Sequence, residues 1–323
     1  MDFSEFLKPY LDKEIENYYV ALSGGADSMV LLNELIKVQR DFDLNLTAIH
    51  INHNIQKDSK KWKDICANFC KKNEIKFIYR TLSKRNKSSS NLEKKLRDER
   101  YQVFEKILEK NTILFMGHHL DDSAETFFLR VLRGSGIEGL TSIPKERNLG
   151  KGRVVRPFLS LTKKEIILKA KKDSLKFIDD PSNKDNSFDR NYLRNIILPK
   201  IEKRWPSYRK NLHQLISNLN EANELLISQA EEDFKYVSID KNTVSLNKFL
   251  NLSKVRQKNV FIFWINLHGL NQPNAKVINL FFEKFLTDDK TSKAKYIWGT
   301  PSKKGSVCIT KSFREIKISE LLA

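Results

Sequence analysis

Three stretches of this chain hold residues able to do chemistry on charged groups. The first is Ser23-Gly24-Gly25-Ala26-Asp27-Ser28, between an apolar, aromatic run at 18–22 and a segment at 29–40 carrying Val30, Leu31, Leu32, Leu35 and Ile36. The run suits a buried strand and the segment a helix. A loop of small residues at such a junction lets backbone N–H groups approach an oxyanion, and the helix N-terminus adds partial positive charge, so phosphate is its natural ligand. The second stretch is His118-His119-Leu120-Asp121-Asp122-Ser123-Ala124-Glu125. If a helix starts near Asp121, Asp122 and Glu125 share a face, where two carboxylates can hold Mg²⁺ or bind a cationic amine. Carboxylates that merely complement the helix dipole would account for Asp121 but poorly for Glu125. The third is Arg190-Asn191-Tyr192-Leu193-Arg194, whose arginines lie one helical turn apart. Such a pair grips phosphates or salt-bridges Asp189 or the turn at Asp179-Asp180.

Other signatures fail. The loop has no Lys or Arg in it or in the first turns after it, so G-x-x-x-x-G-K-S/T is excluded, as is G-x-G-x-x-G. Adjacent histidines on one strand point to opposite sides, which weakens a zinc reading of His118 and His119. Arg130 and Arg133 precede a loop with Gly134, Gly136 and Gly139, which can approach a backbone or ligand closely or serve as an ordinary linker.

The elements that must position these residues follow a regular order. Strand-like runs at 44–51, 75–82 and 112–116 alternate with helix-like stretches at 59–72, 91–110 and 121–132, and a polar, basic loop is expected at 83–90. The pattern predicts an α/β fold, a doubly wound and mostly parallel sheet with helices on both faces. Ligands in such sheets bind outside the carboxyl ends of the strands, where His50, His53, His118 and His119 also fall. Thr162-Lys163-Lys164-Glu165 is a capping box, and Asp179-Asp180-Pro181-Ser182-Asn183 is turn chemistry. After Trp205-Pro206 long helical stretches take over, ending in two short strand-like runs around Lys303-Lys304-Gly305. A first domain over 1–205 and a mostly helical second domain over 206–323, closed by a hairpin, are expected. Phe261-Ile262-Phe263-Trp264 reads as helix core.

With 323 residues, 40% hydrophobic and 30% charged, the chain suits a soluble two-domain protein, not a disordered one. No apolar run approaches a membrane span, and the first residues lack a secretory pattern. Cys66 and Cys70 share helical spacing with Trp62, Ile65 and Phe69, as in the core of a reduced, cytoplasmic protein. The net charge of +18 is concentrated: residues 151–210 hold 17 Lys+Arg against 7 Asp+Glu. That placement favours a polyanionic partner, nucleic acid before a membrane surface. The sequence sets no oligomeric state, and a homodimer is allowed.

The loop resembles that of the PP-loop ATP pyrophosphatases, and the later motifs resemble the tRNA(Ile)-lysidine synthetase family. They are His50-Ile51-Asn52-His53; Asn91-Leu92-Glu93 with Arg97, Arg100 and Tyr101; Gly117 to Asp122; Glu125-Thr126; Arg133-Gly134-Ser135-Gly136; Arg156-Pro157; and Asp180-Pro181-Ser182-Asn183 with Arg190, Asn191 and Arg194. Where the family has Gly-Leu-Arg, this chain has Asn54-Ile55-Gln56, with Lys57 beside it. The resemblance implies that lysine is joined to C2 of the wobble cytidine of a precursor tRNA(Ile), through an adenylated intermediate, with ATP and Mg²⁺. It assigns Ser23, Gly24, Gly25, Ala26, Asp27, Ser28 and His50 to the nucleotide and Asp27 to Mg²⁺. Asp122 and Glu125 would receive the substrate lysine, and Arg97 or Arg100 would offset charge on the adenylate. Arg133, Arg190 and Arg194, with the second domain, would bind the tRNA.

Overall fold

A computed structural model describes residues 3–12, 14–42, 44–52, 59–82, 92–270, 273–286, 294–298 and 306–321. His53, Gln56, Lys57, Asn91, the loop expected at 83–90 and the turn at 303–305 lie outside the described residues. Contacts divide the chain into two compact units, Met1–Leu219 and Asn220–Ala323.

The first unit alternates strands and helices. In chain order these are β1 (Asn17–Ala21), α1 (Ala26–Phe42), β2 (Leu46–Asn52), α2 (Ser59–Lys72), β3 (Lys76–Thr81), α3 (Leu92–Ile107), β4 (Thr112–Phe115) and α4 (Leu120–Leu132). There follow α5 (Ile137–Leu140), β5 (Glu146–Leu149), β6 (Gly152–Val155), α6 (Lys163–Lys172), α7 (Asp189–Tyr192) and α8 (Leu198–Arg204). The sheet order is β3-β2-β1-β4-β6-β5, parallel throughout except for the antiparallel edge strand β5. Tyr18 and Val20 of β1 join Ile113 and Phe115 of β4 in one core with α1, while Leu114 and Met116 join Phe104 of α3 and Leu108 just past it on the other face. The two-residue period of a strand thus feeds two cores, as a sheet covered on both faces requires. Strand order reverses beside β1, which makes the carboxyl ends of β1 and β4 the switch point where a doubly wound sheet binds ligands.

A 30-residue helix, α9 (Tyr208–Val237), runs through the division. The boundary expected at 205/206 falls instead after Leu219, because Tyr208, Leu212 and Ile216 of its first turns pack with Ala124, Phe127 and Leu198. Beyond it come β7 (Ser238–Asp240), β8 (Thr243–Ser245), α10 (Leu246–Asn251), α11 (Lys254–Leu267), α12 (Ala275–Leu280), β9 (Ala294–Trp298), β10 (Ser306–Lys311) and β11 (Glu315–Leu321). The strand pair that flanks the expected hairpin at 303–305 is β9 with β10, antiparallel inside a larger sheet of order β7-β8-β11-β10-β9. Phe261 and Trp264 are buried in the core of this unit with Phe249 and Phe281, and Trp264 Nε1 donates to the Lys241 carbonyl at 2.9 Å. Among the described residues no helix is long and apolar enough to cross a membrane.

Candidate active site

The loop after β1 is held open by its own side chains. Ser28 Oγ accepts from the amides of Ser23 (3.1 Å) and Gly24 (3.2 Å) and donates to the Gly25 carbonyl. The Met29 amide bonds to the Gly25 carbonyl, so α1 begins with the amides of Ala26, Asp27 and Ser28 left without intrahelical acceptors. Those amides are the donors available to an anion. Gly24 has φ +91°, and a Cβ there would overlap Ile178 Cδ1. Gly117, just past β4, lies so close to α1 that a Cβ would sit 3.0 Å from the Asp27 backbone. Gly117 thus lets the chain leaving β4 pass against α1, and Gly24 lets Ile178 pack on the loop. His50 is buried on β2, stacks on Tyr79, and donates from Nδ1 to the Leu22 carbonyl at 2.8 Å. That bond ties the end of β2 to the entry of the loop.

Asp27 receives Lys163 Nζ on both carboxylate oxygens, at 2.6 and 2.7 Å. His119 caps α4: its Nδ1 accepts from the Asp122 amide, and its own amide donates to Asp122 Oδ2 at 3.0 Å. Its Nε2 lies 3.6 Å from Asp27 and 3.5 Å from Asp122, so the ring stands between the two carboxylates. Asp121 turns away to accept from the Lys163 amide and Arg209 Nε, each at 2.7 Å. Burial would raise the Asp122 carboxyl, but His119 and Arg190 outweigh it and hold it far below the usual carboxylate range.

Glu125 differs from the expectation. Its residue exposure is 0%, and Arg190 Nε (2.8 Å), Arg194 Nε (2.6 Å) and Arg194 Nη2 (2.8 Å) occupy both oxygens. The same guanidiniums reach Asp122 at 3.4 and 3.6 Å. The pair on one face of α4 thus exists, but Glu125 is sealed while Asp122 stays partly exposed. Arg190 and Arg194, expected to meet tRNA, spend their charge on these carboxylates. They do so across a π-helical turn at Leu193–Ile197 that interrupts the expected continuous helix. Arg133 remains outside, in an exposed pair with Asp189 at 3.3 Å. Lys163 and Arg209 had no sequence signal beyond a capping box and a helix surface; their partners lie far away in the chain.

Beside Asp122 lies a cationic cluster. Arg97 and Arg100 of α3 stand 5.6 and 5.9 Å from the Tyr101 ring centre, and Arg147 of β5 stands 4.5 Å from it. The buried Arg156 donates from Nη1 to the Pro144 carbonyl at 2.7 Å and from Nη2 to the Tyr101 hydroxyl at 3.4 Å. Burial would raise the Tyr101 phenol, yet Arg156, Arg97 and Arg100 bring it down to about 8. His118, whose Nδ1 is buried without a hydrogen-bond partner, is lowered to about 3 by burial, with Arg156 and Arg100 adding to the effect and Asp122 opposing it. Its folded pKa is below the unfolded value of about 6.5, so it contributes stability above pH 6.5 that is lost as pH falls towards 3. Urea unfolding across that range should show a steeper acid loss for the native protein than for His118→Gln; parallel curves would refute a neutral buried imidazole.

Among the described residues no group of three metal-ligating side chains occurs. Comparison with known proteins places these features. The PP-loop domain family matches residues 2–201. Curated relatives named tRNA(Ile)-lysidine synthase include that of Buchnera aphidicola subsp. Acyrthosiphon pisum, 36% identical over 91% of this chain and 66% of its own length. Those of Coxiella burnetii (34%, 80% and 58%) and Pseudomonas putida (36%, 80% and 62%) are similar. This chain therefore spans 58–66% of the length of these relatives. A solved structure of the U34-tRNA thiolase NcsA from Methanococcus maripaludis shares the fold, with a TM-score of 0.56 and 18% identity over 68% of this chain and 78% of that one.

Proposed function

Because this chain belongs to the PP-loop domain family, we propose that it ligates lysine to C2 of the wobble cytidine of a precursor tRNA(Ile), at the expense of ATP. The observation that carries the reading is the facing of two unlike sites across the β1/β4 switch point. One is an amide cradle at Ala26 to Ser28, suited to phosphate; the other is a partly exposed, fully ionised Asp122, suited to an ammonium. The relatives' names point to the same substrate.

In this reading the cytidine O2 attacks the α-phosphorus of ATP, forming a P–O bond as pyrophosphate leaves. The ε-ammonium of lysine loses a proton to solvent, the resulting amine attacks C2, and AMP departs with the bonding electrons of the C–O bond. The amides of Ala26, Asp27 and Ser28 hold the phosphate oxygens, and Lys163 lies within reach to neutralise the charge that develops. Mg²⁺ characteristically takes one or two carboxylates together with substrate phosphates. Asp27, which already carries an ammonium, fits as its one protein carboxylate; bound there, Mg²⁺ would screen the departing pyrophosphate. Asp122 receives the lysine ammonium, and Arg97 or Arg100 offsets charge on the adenylate. Extruding the base costs about a few kcal/mol, less in a single-stranded loop. The second unit supplies further tRNA contacts, and the protein works in the cytoplasm; sedimentation decides between monomer and homodimer.

Thiolation, the alternative chemistry on this fold, would want a catalytic cysteine pair. Cys66 and Cys70 are fully buried, and burial pushes both thiols up to about 12. Incubation with ATP, radiolabelled lysine and a panel of tRNAs should yield lysine-labelled isoleucine tRNA, AMP and pyrophosphate. ADP and orthophosphate as direct products would overturn the assignment.

A further inference from the structure

The guanidiniums around Tyr101 pose a physical problem. Arg97, Arg147 and Arg156 are drawn to one ring from α3, β5 and the segment after β6, and like charges at such separations repel. Among the described residues no carboxylate pairs with any of the three. Arg156 is 1% exposed, and its Nε has no hydrogen-bond partner. Arg130, near enough to Arg97 to feel its charge, gives its own donors to the carbonyls of Gly139 and Ser142. Among the described residues the three cations therefore have no carboxylate counter-charge, and the Arg156 Nε is a buried donor without a partner, which is costly.

We infer that Arg97, Arg147 and Arg156, assembled on Tyr101, form a second phosphate site, separate from the loop at Ser23 to Ser28, that takes a phosphodiester of the RNA strand. The inference rests on the RNA-modifying reading above. A single carboxylate, such as that of free lysine, would leave most of the charge uncompensated, whereas successive nucleotides bring one phosphate each. Planar guanidiniums match phosphate oxygens in pairs, and cations stacked on an aromatic ring are pre-ordered for that contact. Exposure is graded: Arg97 and Arg147 face solvent, Tyr101 and Arg100 are half-buried, and Arg156 is enclosed. A strand crossing the surface would meet the outer pair while its target base goes inward.

ATP also carries phosphate, so the test separates the two sources. Arg147→Ala and Arg147→Lys alter an exposed strand residue that the reaction scheme does not use. Binding of an unmodified isoleucine tRNA transcript is measured without ATP over a series of KCl concentrations, and ATP binding is measured without RNA. Losing one phosphate contact should make the log–log salt slope shallower by about 0.7–0.9 and weaken RNA binding about tenfold at low salt in Arg147→Ala. Arg147→Lys should keep the slope, and ATP affinity should be unchanged in both. Weaker ATP binding with an unaltered RNA slope would overturn the inference in favour of a nucleotide contact. An unaltered slope and unaltered ATP binding would overturn it altogether, as would a Lys variant whose slope falls like that of Ala. In each of these outcomes native protein that still binds the transcript and makes AMP and pyrophosphate leaves the underlying reading intact; native protein that does neither removes both.

Discussion

Glu125→Gln should destabilise the first unit by about 3 kcal/mol, the lower end of the cost of breaking a buried ion pair. Glutamine keeps the shape of the side chain but removes its charge, and the amide cannot accept from two guanidiniums as a carboxylate does. Arg190 and Arg194 would then be held together without the Glu125 charge, with Asp122 at 3.4 and 3.6 Å as a remaining counter-charge. The figure lies low in the range because the Arg194 side chain retains 36% exposure and water can solvate it in part. Urea unfolding followed through Trp205 and the helical signal would measure the loss, with the transition of the first unit read separately from that of the second. A change below about 0.5 kcal/mol, the scale of an ordinary surface substitution, would show that the pair is ornamental. Arg190→Gln combined with Glu125→Gln should recover part of the loss, since one unpaired charge disappears with its partner.

This expectation differs from that drawn from sequence, and the difference has a physical origin. Spacing along a helix correctly puts Asp122 and Glu125 on one face, but it is silent about what faces them. The partners come from Arg190 and Arg194, 65 and 69 residues further on, and no periodicity encodes a contact of that range. Lys163 is a clearer case. Its local context, Thr162 to Glu165, is fully explained as a capping box, and the structure confirms that box. Its second role, on Asp27, is added by α6 lying beside α1. By contrast, the strand ends were legible. Apolar runs bounded by polar residues encode the sheet, and the sheet rule alone puts Ser23 to Ser28 and His118 to Asp122 at its carboxyl edge.

The C-terminal region shows the opposite limit. β7 and β8 are three residues each, too short for alternation to register, and β8 finds its partner in β11 after the intervening helices. A hairpin was readable from local sequence; a sheet assembled from distant short strands was not. The arginines around Tyr101 were visible as Arg97, Arg100 and Tyr101 on one helix, yet Arg147 and Arg156 come from the β5–β6 hairpin and its exit.

Asp122→Asn should separate the two halves of the proposed reaction, with adenylation largely kept and lysine transfer reduced by about a hundredfold or more. The asparagine can still accept the His119 amide at the Oδ2 position, so the cap of α4 and the loop at Ser23 to Ser28 should persist. What disappears is a carboxylate that stays ionised at every working pH and lies partly open to solvent, the property an ammonium requires. Losing a charged hydrogen bond to a substrate costs about 3 kcal/mol, which is the hundredfold. The experiment forms the adenylated tRNA with radiolabelled ATP in the absence of lysine, then chases with increasing lysine. Asp122→Asn should raise the lysine concentration needed for half-maximal chase while leaving the adenylation burst in place. If the burst itself is lost, Asp122 serves the nucleotide or its Mg²⁺, and the lysine pocket must be sought elsewhere. If neither step changes, Asp122 is only the capping-box partner of His119. Glu125→Gln in the same assay distinguishes position from contact: its defect should affect both steps together and should be relieved on cooling, as expected where Glu125 acts through Arg190 and Arg194 and never touches lysine.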